Sequence, residues 1–194
     1  MAIKENIKPN TLISVLSMLK SSTIFWIFSF TLLTAIAAQV TIPVKPVPFT
    51  LQTMMVLLAG ALLGPRNGAI SQIFYLFLGV IGLPVFAQIP DTTIGFARLF
   101  GPTGGYLLAF PAAAFLVGFL VKKYKSYLGV ILSMFAGNLL IIVSGTVFLG
   151  TFYLKDLYEA VVAGAAIFSF WMVLKIFAAA SIYFGISKKY ETLT

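Results

Sequence analysis

Two cations stand where cations are costly. Lys175 lies in FWMVLKIFAAAS, about two turns inside an apolar stretch, and Arg98 lies three residues ahead of GPTGGY at 101–106. A lysine at the centre of a bilayer costs about 2.5–3.5 kcal/mol on insertion scales, so such residues face a cavity or a partner. The alternative is snorkelling, in which the long stem lifts the ammonium to the interface. A guanidinium can grip a carboxylate with two parallel hydrogen bonds, or it can sit solvated on a loop. Two cations near one pocket, with Asp91, Asp156 and Glu159 as the nearby acids, favour an anionic ligand. The GPTGGY run adds backbone chemistry. Gly104 and Gly105 allow close approach of a ligand or a helix, and Thr103 can cap the helix that follows. An ordinary turn before a helix has the same residues.

Other chemistries are excluded by what the chain lacks. It has no Cys and no His, which removes thiolate catalysis, disulfides and the usual zinc ligands. Five carboxylates in 194 residues leave little material for a two-carboxylate hydrolase or a metal cluster.

The elements that must hold these residues are membrane helices. Sixty per cent of the residues are hydrophobic and 9% charged, where a soluble domain carries about a quarter charged. Six apolar segments are expected, at about 23–42, 50–64, 67–83, 104–121, 127–149 and 168–187. The second and third are short and are broken apart at Pro65–Arg66. The Pro/Gly-dense stretch PVFAQIPDTTIGFARLFGPTGGY at 84–106 cannot be lipid-exposed backbone, because unpaired N–H and C=O groups in hydrocarbon cost several kcal/mol each. It is expected as a re-entrant or ordered outer loop between the third and fourth helices. MAIKENIKPN lacks the pattern of a cleaved signal peptide, so the first span is expected to be retained.

An even number of helices puts both termini on one side. Nine cations fall there (Lys4, Lys8, Lys20, Arg66, Lys122, Lys123, Lys125, Lys188, Lys189) against four toward the other (Lys45, Arg98, Lys155, Lys175), which favours cytoplasmic termini. The 43–49, 84–103 and 150–167 connections then converge outside, the last as a surface helix. In the first span, Thr31/Ala35 and Thr34/Ala38 give small-xxx-small spacing for close packing of a helix, either internal or from another subunit.

Four blocks carry a resemblance: IPVKPVPFTLQT (42–53), LLGPRNGAISQIFYLFLGVIGLPVF (62–86), GPTGGY (101–106) and the surroundings of Lys175. Together they resemble the BioY family, the biotin-specific substrate-capture (S) components of energy-coupling factor (ECF) transporters, over roughly 31–180. The resemblance implies an all-α, six-helix membrane protein with the S-component fold and a single membrane domain over 1–194. No ATPase site is expected, and no GxxxxGK[ST] phosphate loop occurs. It implies a binding and transport protein, not an enzyme, with no cofactor: biotin is the cargo, and ATP is used by partner subunits. Those partners would be a transmembrane coupling (T) subunit and a pair of cytoplasmic ATPases, in a bacterial or archaeal plasma membrane. Alternatives are an S component for another small anionic vitamin, or a solitary ion-coupled carrier.

On this resemblance Lys175 and Arg98 supply charge and polar contacts to biotin. Gln88, Thr103 and the Gly104–Gly105–Tyr106 backbone add hydrogen bonds, with Phe86, Tyr106 and Trp171 as walls. The 43–53 segment, with Thr50 and Gln52, forms the lid, and Thr34, Ala35 and Ala38 meet the T subunit. One departure stands out. The family's acid three residues before the lysine, which follows a Pro-Phe pair, is Met172 here, and the Pro position is Ile167, with Phe168 kept. Lys175 must then be neutralised by Asp91, by Asp156 or by the ligand's own carboxylate.

Overall fold

The computed structural model describes residues 22–88, 94–166 and 169–191. Lys4, Lys8, Lys20, Asp91, Ile167 and Phe168 lie outside the described residues. Helix α1 (Thr23–Gln39) opens on Ser22, whose side chain accepts from the Phe25 N–H. A two-residue ribbon follows, β1 (Thr41–Ile42) antiparallel to β2 (Phe49–Thr50), with Thr41 opposite Thr50 and Ile42 opposite Phe49. It closes the Pro-rich segment between them into a strap.

Helix α2 (Gln52–Val80) is a hairpin within one element. Gly64 adopts φ 78°, ψ 178°, a backbone that L side chains rarely take, and Pro65 starts the returning arm. Two contacts prove the reversal: a Cβ on Gly68 would lie 2.8 Å from the Ala59 carbonyl oxygen, and Gln52 donates to the Tyr75 hydroxyl. Both pairs are centred on the Leu63–Gly64 bond. The break expected at Pro65–Arg66 therefore falls one residue earlier, where glycine can turn.

A 3-10 helix at Gly95–Phe100 leads to α3 (Gly104–Leu108) and α4 (Phe110–Lys123), which together make one apolar rod. Helix α5 (Tyr127–Leu149), capped by Ser126, runs on through a widened turn at Gly150–Leu154. The short α6 (Leu157–Ala160) is capped by Asp156, and α7 (Ser169–Glu191) closes the fold. The surface helix expected over 150–167 is thus only a single α turn between two wider ones.

Among the described residues four helices are long and apolar enough to cross a membrane: Gln52–Val80, Gly104–Lys123, Tyr127–Leu154 and Phe170–Ser187. Thr23–Gln39 is a shorter apolar helix. Their outer faces carry exposed Leu32, Phe119, Leu132, Val143 and Phe177, the inverse of a soluble fold and the expected lipid face. Inside, one core gathers Tyr75, Phe86, Tyr106 and Phe110, and a second gathers Leu57, Val117, Met134 and Ile176.

The small residues of α1 turn inward. Thr34 and Ala38 are fully buried and Ala35 nearly so. Thr31 donates to the Ser71 carbonyl at 2.8 Å, and Gln72 donates to the Thr34 hydroxyl at 3.3 Å. The returning arm of α2 occupies the close approach that these residues permit. Thr34, Ala35 and Ala38, the residues expected to meet a T subunit, are thus packed within the chain itself, with Thr34 held by the returning arm of α2.

Candidate functional site

The strap, the start of α2, Phe86–Ala87, Arg98, α3–α4 and α7 enclose one cavity. It is lined by Val47, Pro48 and Thr50 from the strap and Gln52 and Thr53 from α2. Phe86, Ala87 and Arg98 form a second side. Thr103, Tyr106, Leu107 and Phe110 form a third, and Lys175 projects from α7. About 480 Å³ of space free of protein atoms lies within it, part of it open to solvent. The lining has the character of small-molecule sites: mostly apolar and aromatic with a few polar groups.

Lys175 is 7% exposed, so it does not snorkel. Its ammonium donates to the Thr53 hydroxyl at 2.6 Å and to the Thr50 carbonyl at 3.3 Å. An ammonium has three N–H donors, so one remains for a ligand. Arg98 is 4% exposed and donates from Nη2 to the Ala87 carbonyl at 2.9 Å. Its buried Nε–H has no hydrogen-bond partner. A buried unpaired donor costs about 1–3 kcal/mol, and a ligand acceptor would recover it. Burial pulls the Arg98 guanidinium below its ordinary pKa, because desolvation penalises the charged form.

Among the described residues no carboxylate lines the cavity. Asp156 is engaged elsewhere: its side chain accepts from the Tyr158 and Glu159 N–H groups as the cap of α6. Met172 packs against the second core. What remains is a partly open, largely apolar chamber with two cations, suited to a small organic anion with a second acceptor end.

The polar supports are local. Gln52 accepts from the Thr50 hydroxyl at 2.9 Å and donates to Tyr75, whose own hydroxyl donates to the Val85 carbonyl at 3.1 Å. One chain of bonds thus ties the strap to both arms of α2 and to the wall carrying Phe86. Tyr153 donates to the Phe100 carbonyl, so the turn after α5 holds the 3-10 helix that presents Arg98.

Seven of the residues expected at the site line the cavity: Lys175, Arg98, Phe86, Thr103, Tyr106, Thr50 and Gln52. Four do not. Gln88 is exposed. Trp171 is 42% exposed and lies beside Phe49 of the strap, with ring centroids 6.4 Å apart. Gly104 and Gly105 are buried by close packing on Leu99 and Phe148, and so position Tyr106 rather than facing the chamber. Thr103 lines the cavity but makes no side-chain cap to α3. The sequence reading assigned no role to Thr53, Leu107 or Phe110. The last two were accessible from spacing, since 103, 106, 107 and 110 form one helical face.

The chain matches the model of the BioY family over residues 10–192. It is 38% identical to "Biotin transporter BioY" of Thermotoga maritima over 159 residues, 82% of this chain and 92% of that protein. It is 39% identical to "Biotin transporter BioY2" of Lactococcus lactis subsp. cremoris over 143 residues, 73% of this chain and 76% of that one. Its fold is similar to the 2.1 Å crystal structure of the S-component for biotin from an ECF-type ABC transporter. The TM-score is 0.79 at 29% identity, covering 87% of this chain and 92% of that one.

Proposed function

The chain belongs to the BioY family, and from that premise we propose that it is the biotin-capturing S component of an ECF transporter. It is a multi-pass membrane protein and a binding subunit, not an enzyme. The observation that carries the reading is the pairing of Lys175 and Arg98 in one apolar chamber without a carboxylate among the described lining residues. Biotin has an acceptor at each end, the valerate carboxylate and the ureido carbonyl, joined by apolar rings and chain. Two cations with free donors at the wall suit such a molecule, and Phe86, Tyr106 and Phe110 suit its middle.

The two arms of α2 serve as two short passes, giving six in all with both termini on one side. Helix α4 carries the chain about 20 Å from Phe110 at the cavity to Lys123. At that far end Arg66, Lys122, Lys123 and Lys125 are exposed, which supports a cytoplasmic position for it. The cavity then opens outward, and exposed Phe152, Tyr158 and Phe170 around its end suit the outer interface. With no phosphate-binding loop of its own, the chain takes its energy from a T subunit and an ATPase pair. No cofactor is needed.

Uptake of labelled biotin in cells supplied with this chain, with and without the ATPase pair, tests the coupling. The account expects uptake to require the pair. Full uptake without it, abolished only by an uncoupler, would make the chain a solitary carrier.

A further inference from the structure

The end of the bundle remote from the cavity holds a second concave feature. A cleft opens between the last turn of α4 and the first turns of α5, walled by Leu120, Tyr124, Leu128 and Leu132. Its floor is Gly129, where a Cβ would lie 2.8 Å from that of Tyr124, so the tight turn leaves the groove unfilled. Its two hydroxyls are already committed: Ser126 accepts from the Gly129 N–H at 3.1 Å, and Ser133 donates to the Gly129 carbonyl at 2.6 Å. The cleft is therefore apolar in effect, with about 630 Å³ of space free of protein atoms, part of it open to the surroundings.

Its rim has the opposite character. Lys122, Lys123 and Lys125 are exposed along the turn that forms one lip. Arg66 is exposed at the tip of the α2 hairpin on the same end, and the Lys122 side chain lies over Gly64 there. Lys123 Nζ lies 5.2 Å from the centroid of the Tyr124 ring, at the mouth of the cleft. The carboxylates whose side chains are described, Asp156 and Glu159, are on α6 near the cavity, at the other end of the bundle.

We propose that this cleft is a binding site for an anionic phospholipid, one acyl chain lying between α4 and α5 with its phosphate held by Lys122, Lys123 and Lys125. Charge complementarity selects the occupant. A zwitterionic lipid brings an amine that the lysines repel, and a free phosphate leaves the leucine walls bare. Each lysine near an anionic lipid surface is worth about a five-fold gain in binding. The proposal is independent of the solute in the cavity.

The test is lipid retention by the purified full chain after equilibration in detergent with equal phosphatidylglycerol and phosphatidylcholine, read by native mass spectrometry. The wild type is expected to retain phosphatidylglycerol over phosphatidylcholine by about ten-fold or more, compounding the lysine contributions. Joint substitution K122Q/K123Q/K125Q should remove that preference, and Leu132→Trp, which fills the groove, should lower retention of phosphatidylglycerol. Equal retention of the two lipids by the wild type would overturn the proposal without recourse to any variant. So would an undiminished preference in the triple variant, or displacement of the lipid by millimolar glycerol phosphate, which would make the site one for a free anion.

Discussion

Replacing Lys175 by methionine keeps the length of the side chain and removes its charge. In the structure the ammonium spends two donors on Thr53 and Thr50 and leaves the third toward the cavity. A hydrogen bond to a charged group contributes about 1.5–3 kcal/mol, which corresponds to a loss of about 10- to 150-fold in biotin affinity. The upper part of that range applies if the ligand's carboxylate is left buried and unpaired. The fold should not suffer. Lys175 sits in an apolar helix, where methionine costs less to insert than lysine. The Thr53 hydroxyl that loses its donor lines the cavity, where a water can reach it. Isothermal titration of Lys175→Met with biotin, beside a thermal melt, separates the two effects. Weakened binding with an unchanged or higher melting temperature is expected. An affinity within two-fold of wild type would refute the reasoning and reduce Lys175 to a pin holding the strap.

Other consequences follow from packing. Gly145 lies against the ring of Tyr106, so Gly145→Ala must displace a cavity wall. A cost of about 1–3 kcal/mol in stability and weaker biotin binding are expected, read by melting and titration. Ala38 is fully buried against the chain's own helices, so Ala38→Leu should lower the melting temperature of the isolated protein. An unchanged melt combined with lost T-subunit association would instead return that face to a partner. Tyr75→Phe leaves the buried Gln52 amide without its acceptor, at about 1–3 kcal/mol, and should show as a lower melting temperature.

The sequence made the cations legible because charge in an apolar run has few explanations. The structure placed Lys175 and Arg98 at one cavity as those explanations require. The α2 reversal was legible too, since Gly64–Pro65–Arg66 interrupts an otherwise continuous apolar stretch. Helix faces were harder to read. Nearly every residue of α1 is apolar or small, so periodicity cannot separate lipid from protein, and only the hydrogen bonds of Thr31 and Thr34 reveal the inward side. Trp171 was misplaced for the same reason. It shares α7 with Lys175, but four residues of helix do not say whether the strap or the cavity lies beside it. Gly104 and Gly105 permit either a ligand or a helix to come close, and the choice between them depended on Leu99 and Phe148, which spacing does not bring near.

The most direct test of the central claim is equilibrium binding of labelled biotin to the purified full-length protein, alone and in competition with other small anionic vitamins. The account predicts saturable binding at or below micromolar biotin that the other vitamins displace poorly. No saturable binding at micromolar biotin, or equal displacement by an unrelated anion, would contradict it.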